Sequence, residues 1–499
     1  MSDTVGIRRT MMGAGGAIAD ITSAEQHMSE TIRQLMFNAP FTDIVANKYK
    51  LLDDSYRGTG GYEDGTYLVP HPREKEDKYL RRKQLAYYTN FVKPVVDAQV
   101  NPIFKQEPNR QNITSLYNVF INNVDGNDTT LTRFMKKAAI RAKLHGVEFI
   151  VMDMSEIADS SVVTKKDVID KRLFPYLYLI SPSNICDYAI DKFGRLIYIK
   201  YTVRNVIVDD VGNKKEVQET FAWTNAFCIK EVDGKAVKVP NPIGEIPIIP
   251  IYGAINNSDD FIPQSDVYAI ARTNLALYNS TSELRERNRA QAFSILTYPL
   301  AEDDDYESGA ESINVGVSDI LMYRSGGESP AFITPPADPS NVILSEISFM
   351  IQQIYRMANM KDTQTISQYN VTGIAKEYDN QNLYQVILEL AQGLQKAEYK
   401  IARIFASYTN ENLENISVVY NNEFGVVDTT SALNSAIQSL ALNICPDFNL
   451  QLKKQVIRSV LTSVDTSLVE QIISNLEEQP TAKDPVVESE AKVVQPTRN

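Results

Sequence analysis

Histidine, cysteine and tryptophan are scarce in this chain: three, three and one among 499 residues. Cys186, Cys228 and Cys445 are odd in number and far apart, with no CxxC spacing. That pattern excludes a disulfide framework and a zinc knuckle, and it points to a reducing compartment. His27, His71 and His145 have no near-sequence partner at metal-ligand spacing, and HExxH does not occur. His145, in the turn before an expected strand, reads as structural. No GxxxxGK followed by Ser or Thr exists, so no P-loop is written here, and no Gly-x-Ser-x-Gly elbow. Gly58-Thr-Gly-Gly61 lacks the lysine and a preceding strand, and it reads as a plain loop. No run approaches the ~20 apolar residues of a membrane helix. The Gly-rich stretch after Arg9 is too short for a signal peptide, so the sequon Asn112-Ile-Thr114 carries no meaning.

Net charge is −13, with 43% hydrophobic and 23% charged residues. The balance is that of a globular chain long enough for two or three domains. An acidic protein is poorly suited to gripping nucleic acid, because phosphate contacts need a basic footprint. It is not excluded as a surface that nucleic acid passes.

Along the chain, residues 1–29 read as a mobile arm, and Ser29–Leu52 as helices broken at Pro40. Asp77–Phe104 reads as one mostly buried helix kinked at Pro94. Leu131–Leu144 is a helix with a basic surface (Arg133, Lys136, Lys137, Arg141, Lys143), read as a solvated face or one that pairs with an acidic neighbouring chain rather than with phosphate. The period then changes from helical to two. Residues 146–252 form a mainly antiparallel β region packed against the earlier helices, with Trp223 in its core. Ser265 caps a helix running to about Ala292, whose second half carries Glu283, Arg285, Glu286, Arg287 and Arg289. Short strands and turns follow, with Glu302-Asp-Asp-Asp305 read as a solvated loop rather than a cation site.

Ile343, Ile347, Met350, Ile351 and Ile354 mark the next helix. Leu383, Ile387, Leu390, Leu394, Ala397, Ile401 and Ile404 then alternate steps of four and three along one helix face, a seam read as core packing. Between these helices lies Lys361-Asp-Thr-Gln-Thr-Ile-Ser-Gln-Tyr-Asn370, polar and almost uncharged. It reads as a surface that touches something rather than one that reacts. A last helical region spans about 430–477, and a Pro-rich charged tail follows. The fold class expected from this order is α+β. The residues supply no catalytic, cofactor or metal constellation.

The order of these pieces resembles the portal proteins of tailed bacteriophages, the ring-forming head-to-tail connectors. The landmarks are Tyr79-Leu-Arg-Arg-Lys-Gln-Leu-Ala-Tyr-Tyr-Thr-Asn-Phe91 and Asn101-Pro-Ile-Phe104, then Gly146-Val-Glu-Phe-Ile-Val-Met-Asp153 and Ser181-Pro-Ser-Asn-Ile185. Gly244-Glu-Ile-Pro-Ile-Ile-Pro250 and Ser265-Asp-Val-Tyr-Ala-Ile-Ala-Arg-Thr-Asn274 come next, and Thr372-Gly-Ile-Ala-Lys376 opens the long helix. The resemblance implies a helical wing with an antiparallel β region over 30–262 and stem helices at 263–292 and 339–358. It implies a small β-rich clip at 293–338, a tunnel loop at 359–372, a long wing helix at 373–408, a helical crown at 409–477 and a disordered tail at 478–499. Lys361, Gln364, Ser367, Gln368 and Asn370 would face DNA in the channel. Glu283, Arg285, Glu286, Arg287 and Arg289 would pair between subunits.

The partners implied are a homo-oligomeric ring (dodecameric in the family), double-stranded DNA, the terminase large subunit, a head-tail adaptor, the major capsid protein and scaffold, with no membrane. The implied location is a capsid vertex of the virion, after assembly in the host cytoplasm. Another ring-forming head-tail adaptor is the alternative, with a capsid-associated hydrolase behind it.

Overall fold

The computed structural model describes residues 43–154, 174–208, 212, 214–232, 234–254, 260–292, 295–297, 331–333, 338–360, 381–422, 424, 438, 439, 445–460 and 466–478. The chain divides into two compact units, Met1–Phe424 and Gly425–Asn499. Helix and antiparallel sheet are both present, so the class is α+β.

In the first unit the helices are α1 (Asp43–Arg57), α2 (Glu76–Leu85), α3 (Val92–Val100), α4 (Ser115–Asn122), α5 (Leu131–His145), α6 (Val267–Ala292), α7 (Asp338–Met357) and α8 (Gln381–Thr409). The strands are β1 (Asn109–Gln111), β2 (Val147–Asp153), β3 (Tyr176–Ile180), β4 (Ile185–Ile190), β5 (Leu196–Val208), β6 (Lys214–Thr224), β7 (Phe227–Val232), β8 (Lys235–Pro240), β9 (Ile248–Tyr252), β10 (Ile295–Thr297), β11 (Ala331–Ile333) and β12 (Ser417–Val419).

The β region is two sheets, not one. A three-stranded sheet has the order β3-β2-β9, and a five-stranded meander runs β4-β5-β6-β7-β8, antiparallel throughout. Strand side chains alternate between faces, and β2 uses both. Ile150 and Met152 enter the core built by the helices, whereas Val147, Phe149 and Val151 enter a second core. That second core is closed by Ile185, Ile199, Tyr201, Phe221, Trp223 and Cys228 of the meander. The layers are therefore helices, three-stranded sheet, then five-stranded sheet. Trp223 lies in the core between the sheets, its indole N–H donating to the Tyr201 hydroxyl at 3.2 Å. Burial pushes the Cys228 thiol up to about 12, which leaves it unreactive. Pro250 sits in β9, which pairs only with β2 among the described strands. An edge position tolerates a residue with no N–H.

The expected single helix over Asp77–Phe104 is instead α2, a non-helical segment at 86–91, α3, and a 3-10 turn at Asn101–Phe104. Pro94 kinks nothing. It is the third residue of α3, where the backbone N–H would have no intrahelical partner. The break comes earlier, and a distant residue causes it. Asn274 Oδ1 accepts from the Tyr88 hydroxyl (2.8 Å) and the Phe91 N–H (3.0 Å), and its amide donates to Thr89 O (3.0 Å). Those bonds hold the break between α2 and α3 in place.

The seam of α8 is core. Ile387, Leu390, Leu394, Ala397, Ile401 and Ile404 are all buried. Beside them Glu398 is fully buried and must be neutralised. Arg110 donates to it through Nε and through Nη2 (3.1 Å), and the Tyr420 hydroxyl adds a third bond at 2.7 Å. Arg110 Nη1 also reaches Thr132 at 3.0 Å. One ion pair thus joins β1, α5 and α8 to the segment after β12.

The second unit contains helices α9 (Pro446–Val460) and α10 (Thr466–Glu478), which pack on each other with Ile473 buried.

Two variants test this core. Glu398→Ala strands the Arg110 charge in a buried site, and unfolding free energy should fall by about 3–5 kcal/mol. Leu390→Asp places an unpaired carboxylate among apolar side chains, and soluble folded protein should be lost. Denaturant titration of the first and circular dichroism of the second check both. A native-like Leu390→Asp protein would contradict the placement of the seam.

Candidate functional site

Helix α6 is where the polar chemistry of the first unit converges. Its N-terminus is seated by Ser265, whose Oγ accepts from the Val267 N–H at 3.0 Å and donates to Lys143 O at 3.1 Å. The adjacent Asp266 takes the buried Lys143 ammonium at 2.5 Å. So Lys143 is not part of a solvated basic face, although Arg133 and Lys137 of the same helix are exposed. Close packing fixes the joint between α5 and β2. Gly146 has φ of +92°, and a Cβ there would lie 2.7 Å from Pro263 O. No other residue type fits that turn without displacing the backbone that leads into α6.

His145 ends α5 and is almost fully buried between two carboxylates. Its Nε2 lies 3.2 Å from Asp53 Oδ1 and its Nδ1 lies 3.3 Å from Glu148 Oε2. Burial alone disfavours the imidazolium. The hydrogen bonds and charges of Asp53 and Glu148 outweigh burial and raise the pKa to about 9. Burial also works against the Asp53 carboxylate, but the His145 bond outweighs it and holds that carboxyl below its usual range. Glu148 further accepts from Arg141 (3.2 Å) and Ser181 Oγ (3.1 Å). The Ser181 hydroxyl therefore bonds a carboxylate and not the imidazole, so this cluster is not a nucleophile–base pair. It ties α1, α5, β2 and the 3-10 turn Pro182–Asn184 together.

Farther along α6, Asn279 accepts from the Val69 N–H at 2.9 Å and donates to Tyr67 O at 3.1 Å. Arg82 of α2 is buried and satisfied on every side. It meets Glu74 through Nε and Nη2 (both 2.8 Å), Val69 O (2.7 Å) and Ser282 Oγ of α6 (3.3 Å). Asn274, Asn279 and Ser282 thus carry the 67–91 segment along α6.

The charges expected between subunits fall at the end of this platform. Glu283, Arg285 and Arg287 are exposed, while Glu286 and Arg289 are half-buried. Arg285 stacks over the Tyr87 ring of its own chain, 5.3 Å from the centroid, and Glu283 lies in the field of Arg82. After α6, β10 pairs antiparallel with β11, and α7 follows and packs back on α6. Only a narrow side of α7 is buried, through Met350 and Ile354, with Ala358 buried just beyond its end. On its outer side Val342 is 67% exposed and Phe349 58% exposed. Gln99 donates to Ala358 O at 3.1 Å and fixes the end of this helix.

Lys361, Gln364, Ser367, Gln368 and Asn370 lie outside the described residues, as do Glu302–Asp305 and most of 293–338. Sequence reading missed Asn274, Asn279 and Arg82, because nothing in a polar residue's neighbourhood names a partner two hundred positions away. It also passed over Val342 and Phe349. Their signal was available: two apolar residues seven apart, on the face opposite the Ile343–Ile354 stripe. Among the described residues no group of three or more His, Cys, Asp or Glu side chains could hold a metal ion, and no helix is long and apolar enough to cross a membrane.

The His145 cluster predicts an alkaline limit on stability. A histidine whose folded pKa is raised above its usual 6.5 stabilises fully below 6.5 and loses that contribution as pH rises through about 9. The stability gap between wild type and His145→Gln should be on the order of 3 kcal/mol near pH 6. It should narrow steadily up to pH 9.5. Urea melts at five pH values measure it, and a gap independent of pH would contradict a charged, paired His145.

No family model matches this chain, and no curated protein matches it. Among solved structures, one chain of a structure titled "Virion of native gene transfer agent (GTA) particle" is similar over 80% of this chain and 89% of that chain. The identity is 12% and the TM-score 0.37. A likeness that distant carries no argument about what this chain does.

Proposed function

We propose that this chain is a portal subunit: copies form a closed ring at one capsid vertex, through which DNA is packaged and ejected. One observation carries the reading. Helix α6 is bonded to the body through Asn274, Asn279 and Ser282, the β10–β11 pair follows it, and α7 packs back on α6. Two antiparallel helices joined beyond a strand pair and rooted in an α+β body suit a connector, because the body and the far end of the helix pair can meet different partners. On this reading the clip, 293–338, faces the packaging motor (terminase large subunit) and the head-tail adaptor. The wing over 30–262 meets the major capsid protein and scaffold, and the protein resides in the virion after assembly in the host cytoplasm.

The segment 359–372 would be the tunnel loop. Its flanks support this: Ala358 is fully buried and bonded to Gln99, and α8 is anchored by its seam. A loop held at both ends can move locally without unfolding the core. Its polar residues Gln364, Ser367, Gln368 and Asn370 offer replaceable hydrogen bonds, whereas cations multiplied around an axis would grip the duplex.

Imaging of purified protein tests the ring: closed particles with a pore wide enough for duplex DNA are expected. Monomers alone, at every salt concentration, would refute it. The same preparations should show no ATPase or nuclease turnover. Metal-dependent turnover abolished by a single carboxylate substitution would favour the hydrolase. Replacing Gln364 and Gln368 by alanine should leave rings intact and alter DNA packaging or retention in particles. Unchanged packaging after deletion of the loop tip would remove the loop from this role.

A further inference from the structure

The outer faces of α6 and α7 carry two pairs of complementary side chains at matching spacings. Exposed residues of α6 include Ala269, Arg272, Ala276, Glu283 and Arg287. Exposed residues of α7 include Asp338, Val342, Glu346, Phe349 and Arg356. Ala276 leaves room on α6 where Phe349 protrudes from α7, and Arg287 and Asp338 carry opposite charges. A head-to-tail ring needs two different, complementary patches on one chain.

Rotational symmetry then sets the direction. Within a chain α6 leads to β10 and α7 follows β11. Those strands pair antiparallel and the helices pack together, so the helices run in opposite directions. Rotation about a ring axis lying along the stalk leaves α6 of one copy and α7 of the next opposed as well. In that opposed sense, seating Phe349 on Ala276 fixes the register. Ala276 to Arg287 is eleven residues, and Asp338 to Phe349 is also eleven. Eleven residues make three helical turns, ~16 Å, on one face. Arg287 is thereby placed opposite Asp338. Glu283, which this register sets against Val342, keeps the field of Arg82 in its own chain.

We propose that α7 of one copy docks antiparallel on α6 of the next, with Phe349 over Ala276 and Asp338 paired to Arg287. This rests on the ring reading above and gives it a register.

The test is a double-cysteine chain, Ala276→Cys with Phe349→Cys, oxidised in full-length protein and run on non-reducing gels. Small helix contacts bring backbones within about 8 Å, close to disulfide range. A ladder of covalent oligomers, reversed by reductant and missing from either single variant and from wild type, is expected. In parallel, Arg287→Asp and Asp338→Arg should each weaken the ring contact by about two- to fivefold per interface. Combining the two should restore it. Rings that form normally while the double-cysteine chain stays monomeric on the gel would overturn the docking and leave the portal reading standing. A ladder with no response to charge reversal would overturn the register. Wild-type protein that forms no ring would overturn both.

Discussion

Strand β2 is buried on both faces, and the first unit is organised around that constraint. A strand with two apolar faces must be covered twice. Helices α3, α5 and α8 supply one cover, and the β4–β8 meander supplies the other. Its backbone must also be paired on both edges, which β3 and β9 provide. The same strand carries Glu148, so one cluster of buried charges lies at its beginning.

Several buried charges of the body are paired. Glu148 is shared by His145, Arg141 and Ser181, Lys143 meets Asp266, and Glu398 meets Arg110 and Tyr420. Buried pairs of this kind add little net stability compared with apolar packing. What they impose is a penalty on any arrangement that separates the partners. The pairs lie at joints: α5 to β2, α5 to α6, and β1 to α8. Pairing at these joints fixes the root of α6, and because α6 is long a small angular error there grows along its length.

Helix α7 obeys a different logic. It touches the body along a narrow stripe and leaves apolar side chains in solvent. Together with the small, mixed-charge outer face of α6, this describes a chain whose hydrophobic burial is incomplete as a single copy. The tension is resolved if each chain covers the next.

Much of this was legible in the residues. The four-three spacing of Leu383–Ile404 named a buried helix, the change to period two at Gly146 named the sheets, and Ser265 announced the start of α6. Each is local, because periodicity and capping depend on neighbours within a few positions. Two features were decided only in three dimensions. The break at 88–91 exists because Asn274 captures it, against a helical pattern running through Pro94. The division of 146–252 into two sheets arises because β2 pairs with β9 across some hundred residues, leaving the meander to stack on the other face. In both cases the partner is distant in sequence, and a one-dimensional pattern states what a residue can bury or bond but not against whom.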